Sequence, residues 1–441
     1  MKYKLSALIL FIGVSVSVSG QNKVWTLQEC VAHALENNIT IQRTQNSLLI
    51  NEQDVKGAKS NFLPSAGASL SQGLSFGQTE LYPGSFVNRT STSTSVGLSV
   101  SQSIFNGFRN TNIYKQAQLT LETNQLELDR IKDDISLNIV NSYLNVLFNK
   151  EGLETAKAQY EFSKKQLQQV KDLVNAGVQP KANIYDAEAT LANDEQRVTV
   201  AENSYNLSLL SISQILQVPF EGFTVQIIEI DTPSAALLYN DIKPILNYAF
   251  ENRTEIKVAE KNIENSQLGT EISKSGFLPS VSASYGFGTN AFYTNLSKTE
   301  EQFFDQLNAN KGHNVGLSVN IPIFSRFQNK INVAKSKIRE DISKLDLDQT
   351  KLTLESNIQR AFTDAQAALK TYIAAQKSLE AQQLAFSNLQ ERYNLDAISS
   401  FDLEQARIRL VNAESSLINS KYDFVFKTKV LDFYMGKPLV D

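Results

Sequence analysis

The stretch Lys59-Ser60-Asn61-Phe62-Leu63-Pro64-Ser65-Ala66-Gly67-Ala68-Ser69-Leu70-Ser71-Gln72-Gly73-Leu74-Ser75-Phe76 decides how this chain is to be read. From Ser65 onward one parity carries Ala66, Ala68, Leu70, Leu74 and Phe76, while the other is Ser or Gly throughout. A period of two gives a strand one apolar face and one small polar face. The alternation returns in Val96, Leu98 and Val100, and again in Val281, Ala283, Tyr285 and Phe287. Its last instance is Val315, Leu317, Val319 and Ile321. Strands are therefore expected at about 63–76, 94–105, 279–288 and 314–323.

Two environments fit such a strand. One is an antiparallel sheet with its apolar face on a soluble core; the other is a lipid-facing barrel with a wet lumen. A solvated face would carry Lys and Glu, whereas Ser and Gly suit a crowded lumen. Strands of about ten residues also suffice to cross a membrane when tilted. Four strands cannot close a barrel, and an open edge is not tolerated in lipid, so other subunits must complete it. The connections Gly77 to Thr90 and Thr289 to Gly312 read as exposed outer loops.

Working outward, the opening motif recurs. Lys59-Ser60-Asn61-Phe62-Leu63-Pro64-Ser65 reappears 215 residues on as Lys274-Ser275-Gly276-Phe277-Leu278-Pro279-Ser280, and Val96–Val100 returns unchanged as Val315–Val319 at an offset of 219. Ile104-Phe105, Phe108 and Pro219 match Ile323-Phe324, Phe327 and Pro438 at that second offset. Matches held in register over this length imply an internal duplication. The halves are 21–219 and 237–441, joined by a segment at 220–236.

Each half also contains a stretch too long for a globular helix. Gly107 to Val178 has no proline, and Ile323 to Met435 has neither proline nor glycine. Helices are expected at about 107–176 and 324–395, with return helices at about 182–217 and 401–434. Seventy helical residues extend roughly 105 Å, which implies a coiled coil or helical tube. Leu153, Tyr160, Leu167 and Val174 fall seven apart, as do Tyr372, Leu379, Phe386 and Tyr393. The small or polar residues between them (Ala156, Ser163, Ala375, Gln382) suit close packing among several helices. Gly177 is a natural left-handed C-cap with Pro180 blocking continuation. In the second half Asp396 stands in the place of Gly177, and Ser400 is the expected N-cap of the helix that follows.

Composition narrows the function classes. A net charge of −4 gives no footprint for nucleic acid, and it becomes −6 without Lys2 and Lys4. Residues 1–20 read as a signal peptide: Lys2 and Lys4, an apolar run from Leu5 to Val18, then small residues before Gln21. No cysteine at that junction offers a lipid anchor, and the lone Cys30 has no partner for an intramolecular disulfide. No later apolar run reaches the length of a membrane helix. His33 and His313 are the only histidines, and neither a metal-ligand cluster nor a Gly-x-Ser-x-Gly elbow is present. Cys30 and His33 are expected to pack. No catalytic residue, metal or cofactor is expected.

The duplicated halves, the Phe-Leu-Pro-Ser entry to each strand pair and the two helical turns together resemble the TolC family of outer-membrane factors. The turns carry the likeness through Gly177 with Asn183-Ile184-Tyr185-Asp186-Ala187, and through Asp396 with Asp402-Leu403-Glu404-Gln405-Ala406. The resemblance implies a mainly α protein with a membrane β-barrel part, a homotrimer sharing twelve strands, and a periplasmic helical tunnel. It implies an equatorial belt containing Phe223–Ile228, and a passive exit duct for a tripartite efflux or type I secretion system. The partners would be a periplasmic adaptor, an inner-membrane pump of the RND, ABC or MFS type, and outer-membrane lipid. Asp402 would match an outer acidic ring of the periplasmic gate. Gln405 stands at the inner ring, with Asn183 and Asp186 as first-half counterparts. Gly177, Val178, Gln179 and Pro180, with Ala397, Ile398 and Ser399, would meet the adaptor. The rival reading is a secreted periplasmic coiled-coil structural or adaptor protein, with Asp402 merely favouring a helix start.

Overall fold

A computed structural model describes residues 23–228, 240–297, 301–395 and 397–438. The leader expected at 1–20, residues 229–236 of the joining segment and Asp396 lie outside the described residues. In chain order the elements are β1 (Val24–Trp25), α1 (Leu27–Asn37), α2 (Ile39–Ser60), β2 (Ser65–Tyr82), β3 (Ser85–Asn106), α3 (Arg109–Asn175) and α4 (Ala182–Leu216). There follow β4 (Thr224–Val225), α5 (Lys243–Asn252), α6 (Thr254–Lys274), β5 (Ser280–Thr294), α7 (Phe303–Ala309), β6 (Gly312–Asn320), α8 (Gln328–Asn394) and α9 (Ser400–Tyr434). Both long helices have 67 residues, about 100 Å of continuous helix. Both return helices have 35.

The two compact units do not follow the two sequence halves. One comprises Met1–Ile39, Asp133–Ile242 and Gln359–Asp441; the other comprises Thr40–Lys132 and Lys243–Ile358. Each takes segments from both halves.

The second unit holds the four-stranded antiparallel sheet, in the order β2-β3-β5-β6. Direct pairs keep like faces together: Leu70 faces Val96, Leu98 faces Phe287, and Tyr285 faces Val315. The apolar side is uncovered over most of its extent, with Leu70 75% and Val315 84% exposed. Strand limits depart from the sequence expectation. Residues 77–90, expected as a loop, extend β2 and β3 into one hairpin that reverses at Pro83-Gly84. The Thr- and aromatic-rich stretch favours strand, and Gly84 (φ +82°) supplies the conformation that a Pro-Gly turn requires. Residues 289–312 likewise lengthen β5 to Thr294 and then form α7 instead of an open loop. β6 stops at Asn320 because Pro322 lacks a donor for the ladder. The long helices begin at 109 and 328, later than expected, because Gly107-Phe108 and Arg326-Phe327 are all left-handed (φ between +50° and +65°).

The first unit has a core built from four helices. Cys30 and Ala34 of α1 pack with Ile139, Val140 and Tyr143 of α3, Ile212 and Leu216 of α4, and Ile418 and Tyr422 of α9. β1 and β4 pair in parallel, Val24 with Thr224 and Trp25 with Val225. The Tyr143 hydroxyl donates to the Gln226 carbonyl at 2.5 Å, so the segment expected as a belt is anchored here to α3. Burial pushes the Cys30 thiol up to about 12, which keeps it an inert packing group. His33 packs edge-on to Trp25.

Candidate functional site

The predicted tip residues gather at the two turns of the first unit. At the first, Gly177 (φ +77°) donates to the Val174 carbonyl at 3.0 Å and Val178 donates to Leu173 at 2.9 Å, closing α3 in the expected left-handed cap. Pro180 then accepts from the Asn183 N–H at 3.1 Å as α4 begins. The Gln179 amide bridges the turn, donating to the Tyr393 hydroxyl of α8 and accepting from the Asn183 side chain, each at 3.3 Å.

At the second turn Ala397 donates to the Arg392 carbonyl at 2.9 Å, and Ile398 is half-buried. The N-cap of α9 is Ser399, one residue before the expected Ser400. Asp402 decides this, because it stands three residues beyond Ser399 and completes a reciprocal capping box. The Asp402 N–H donates to Ser399 Oγ at 3.2 Å, while the Ser399 N–H and hydroxyl donate to Asp402 Oδ2 at 3.3 and 2.7 Å. Within one protomer the Asp402 carboxylate therefore holds the start of a helix.

A cavity of about 270 Å³ lies beside these turns. It brings Asn183 and Asp186 together with Tyr393, Ser400, Phe401 and Glu404, and its lining does not include Asp402 or Gln405. The four predicted gate residues are thus split between a groove and an exposed helix start. Among the described residues no cluster of three or more His, Cys, Asp or Glu could hold a metal ion.

Next to the cavity lies a network that the sequence reading missed. Asp194 of α4 is 1% exposed and Arg407 of α9 is 3% exposed. Asp194 Oδ2 accepts from Arg407 Nη1 at 2.8 Å and from the Ser163 hydroxyl of α3 at 2.5 Å. The rest of the Arg407 fork grips Glu404 at 2.9 and 2.8 Å. Burial works against the Arg407 charge, but Glu404 and Asp194 more than offset it and raise its pKa. A neighbouring link runs from Gln159 to Glu414 at 3.1 Å. Burial lifts the Glu414 carboxyl above its ordinary value, and the Gln159 bond opposes that shift only in part. A signal did exist in the sequence: Leu403, Ala406 and Ala413 mark the buried stripe of α9, and Arg407 sits within it, four residues after Leu403.

A sheet whose apolar face is uncovered over most of its extent and 67-residue helices that return through turns are features that suit a membrane-associated, mainly helical class of protein. Comparison with known proteins gives the family. The pattern of the Outer membrane efflux protein family matches residues 31–217 and 245–437, and the chain belongs to that family. The outer membrane protein TolC of Escherichia coli is 23% identical over 436 residues, covering 94% of this chain and 83% of that protein. A crystal structure of CusC superposes with a TM-score of 0.78 at 16% identity, over 93% of this chain and 92% of that one. The outer membrane protein VceC of Vibrio cholerae gives 0.74 at 17% identity, over 94% and 96%. The protein is thus an outer-membrane efflux channel, and the rival reading as a secreted coiled-coil spacer is set aside.

Proposed function

We propose that three copies of this chain form one passive exit duct, its membrane part a twelve-stranded barrel to which each copy gives β2, β3, β5 and β6. The observation that carries this reading is the sheet itself. β2 and β6 are unpaired edge strands of a sheet whose apolar face is uncovered. In lipid each unpaired backbone group costs several kcal/mol, so a spanning sheet must close on itself. No helix among the described residues is long and apolar enough to cross a membrane. The long helices then extend into the periplasm as a tunnel. Substrates pass through without a chemical step, delivered by an inner-membrane pump and a periplasmic adaptor.

The turns are the periplasmic tip. Gly177–Pro180 and Ala397–Ser399 offer exposed backbone and side chains to the adaptor. Asn183, Asp186, Asp402 and Gln405 line the gate, where like charges brought toward a threefold axis attract cations and oppose tight closure. The capping role of Asp402 demands a careful test of that gate. Asp402→Asn keeps an acceptor for the Ser399 cap and removes the charge, whereas Asp402→Ala removes both. In planar bilayers Asn should weaken cation preference as much as Ala does, with less loss of thermal stability. If Asn keeps wild-type ion preference, Asp402 is only a cap. The assembly is tested by detergent extraction and light scattering: a detergent-dependent trimer is expected, and a buffer-soluble monomer or dimer would defeat the duct.

A further inference from the structure

The Ser/Gly face of the sheet carries a single Lys, Arg, Asp or Glu side chain among the described strand residues. Arg89 pairs with Gly77 in phase with Ser91–Ser75, Ser93–Gly73 and Gly97–Ser69, so its side chain leaves on that face. The other such residue in the strands, Glu80, has the opposite parity, and its Oε1 accepts the Gly84 N–H at 2.6 Å. The Arg89 guanidinium lies over the ring of Phe292, 5.1 Å from its centroid. Phe292 faces Ser93 across β3–β5 and so belongs to the same face. A cation seated on an aromatic ring is held in place while it stays hydrated on its other side.

Position along the strands gives this charge its meaning. β2 and β3 join helices at Ser65 and Asn106, and their hairpin reverses at Pro83-Gly84. Arg89 stands near that reversal, beyond the last β3–β5 pair, Ser91 with Thr294. Glu301 and Asp305 belong to the segment folded on the other side. Thr289 and Ala291, which share the parity of Tyr285 and Phe287, lie against α7, and the Thr289 hydroxyl donates to the Leu307 carbonyl. The Glu301 carbonyl likewise accepts from the hydroxyl of Tyr293, which has that same parity, at 3.2 Å, and Arg89 makes no ion pair among the described residues.

We propose that Arg89 is a selectivity-determining residue at the outer mouth of the duct, where three copies form a cationic ring that favours anions and resists the entry of cations from outside. This rests on the trimeric reading above. With strands about 4.8 Å apart and tilted by about 40°, a twelve-stranded wall lies roughly 12 Å from its axis. β6 ends at Gly312, opposite Gly288, so Arg89 stands above the full wall on the continuing β2–β3 hairpin. Along the line of that wall an inward side chain brings its charge to within about 8 Å of the axis, close to one Debye length at physiological ionic strength. Three charges at that distance in water raise the local concentration of monovalent anions and lower that of cations by about 2.6-fold each, so their ratio changes by roughly sevenfold.

The test is the reversal potential of the purified full-length protein in planar bilayers under a KCl gradient, for wild type, R89K, R89Q and R89E. The chloride-to-potassium permeability ratio should fall by up to about sevenfold in R89Q, fall further in R89E, and stay at the wild-type value in R89K. The differences should shrink in 1 M salt, where the Debye length is about 3 Å. Inositol hexakisphosphate added on the outer side should block wild type and spare R89E. Because the tip could dominate the reversal potential, this sided block reads the mouth independently. R89E channels with wild-type reversal potential and wild-type block would overturn the ring. Wild-type protein that forms no channel would overturn the duct, and the ring with it.

Discussion

Asp194 has been taken out of water with Arg407 as its chief partner; its Oδ1 makes no hydrogen bond and has Arg197 Nη1 3.6 Å away. A buried ion pair is weak evidence of stability, because desolvation offsets much of the attraction, but breaking one side leaves an uncompensated charge. Arg407→Met should therefore lower unfolding stability by about 3–5 kcal/mol, and Asp194→Leu with Arg407→Met should recover most of that loss. Denaturant titration of the detergent-solubilised protein measures both; a double variant no better than the single would mean that packing, and not charge, holds α9. Glu414 makes a different prediction. Its folded pKa is raised above the ordinary 4.5, mainly by burial, so its contribution is fully present below pH 4.5 and is lost as pH rises through the folded value. Glu414→Gln keeps an acceptor for Gln159 and removes the ionisation. It should stabilise the protein at pH 7 and leave it unchanged at pH 4, and equal effects at both pH values would contradict the burial account.

The strand-to-helix corners show what the sequence made legible among the elements and what it hid. Alternation, seven-residue spacing and Gly177 are local patterns, so the strands, long helices and first tip turn could be read from one stretch of chain at a time. The hairpin extension to Pro83-Gly84 was missed because its Thr, Asn and Gln residues also suit a loop; pairing over the whole length of β2 and β3 decides the matter. Asp194–Arg407 was missed because it joins residues 213 apart, which no local period reports. The corners themselves lie between these cases. Gly107 (φ +65°) and Arg326 (φ +50°) sit 219 residues apart in the same left-handed conformation, where a side chain costs roughly 1–2 kcal/mol. A Cβ on Gly107 would also meet the Ser275 carbonyl at 2.7 Å and Leu278 Cβ at 2.8 Å, so this corner requires glycine twice over. Arg326 carries the strain without that crowding being forced on it. Arg326→Gly should relieve it, less the added freedom of the unfolded chain, for a net gain of up to about 1 kcal/mol. Thermal unfolding checks this, and a loss of stability would mean that the Arg326 side chain contributes more than its backbone costs.

At the scale of the whole molecule, the chain leaves unmatched surfaces that the trimer proposed above would cover. The edges of the sheet are one, and α8 supplies the second. Ile331, Ile338, Leu345 and Leu352 fall seven residues apart and are all exposed, with Ile342 beside them. Seven-residue spacing of large apolar side chains is the seam of a coiled coil, and a seam left in water loses about 1.5–3 kcal/mol per side chain relative to burial. The matching seam at Tyr372, Leu379, Phe386 and Tyr393 is buried or half-buried within the protomer. One helix therefore carries an inward seam near its tip end and an unpartnered one near the sheet. A second copy is the natural occupant, since strands that close a shared barrel bring the adjoining helices side by side. Ile338→Asp with Leu345→Asp places two charges on that seam and touches none of the buried groups described above. Light scattering in detergent should show the variant as a monomer while circular dichroism keeps the wild-type helix content. A variant that remained trimeric would mean that this face of α8 looks onto water, and that the sheet edges and the tip-end helices hold the assembly without it.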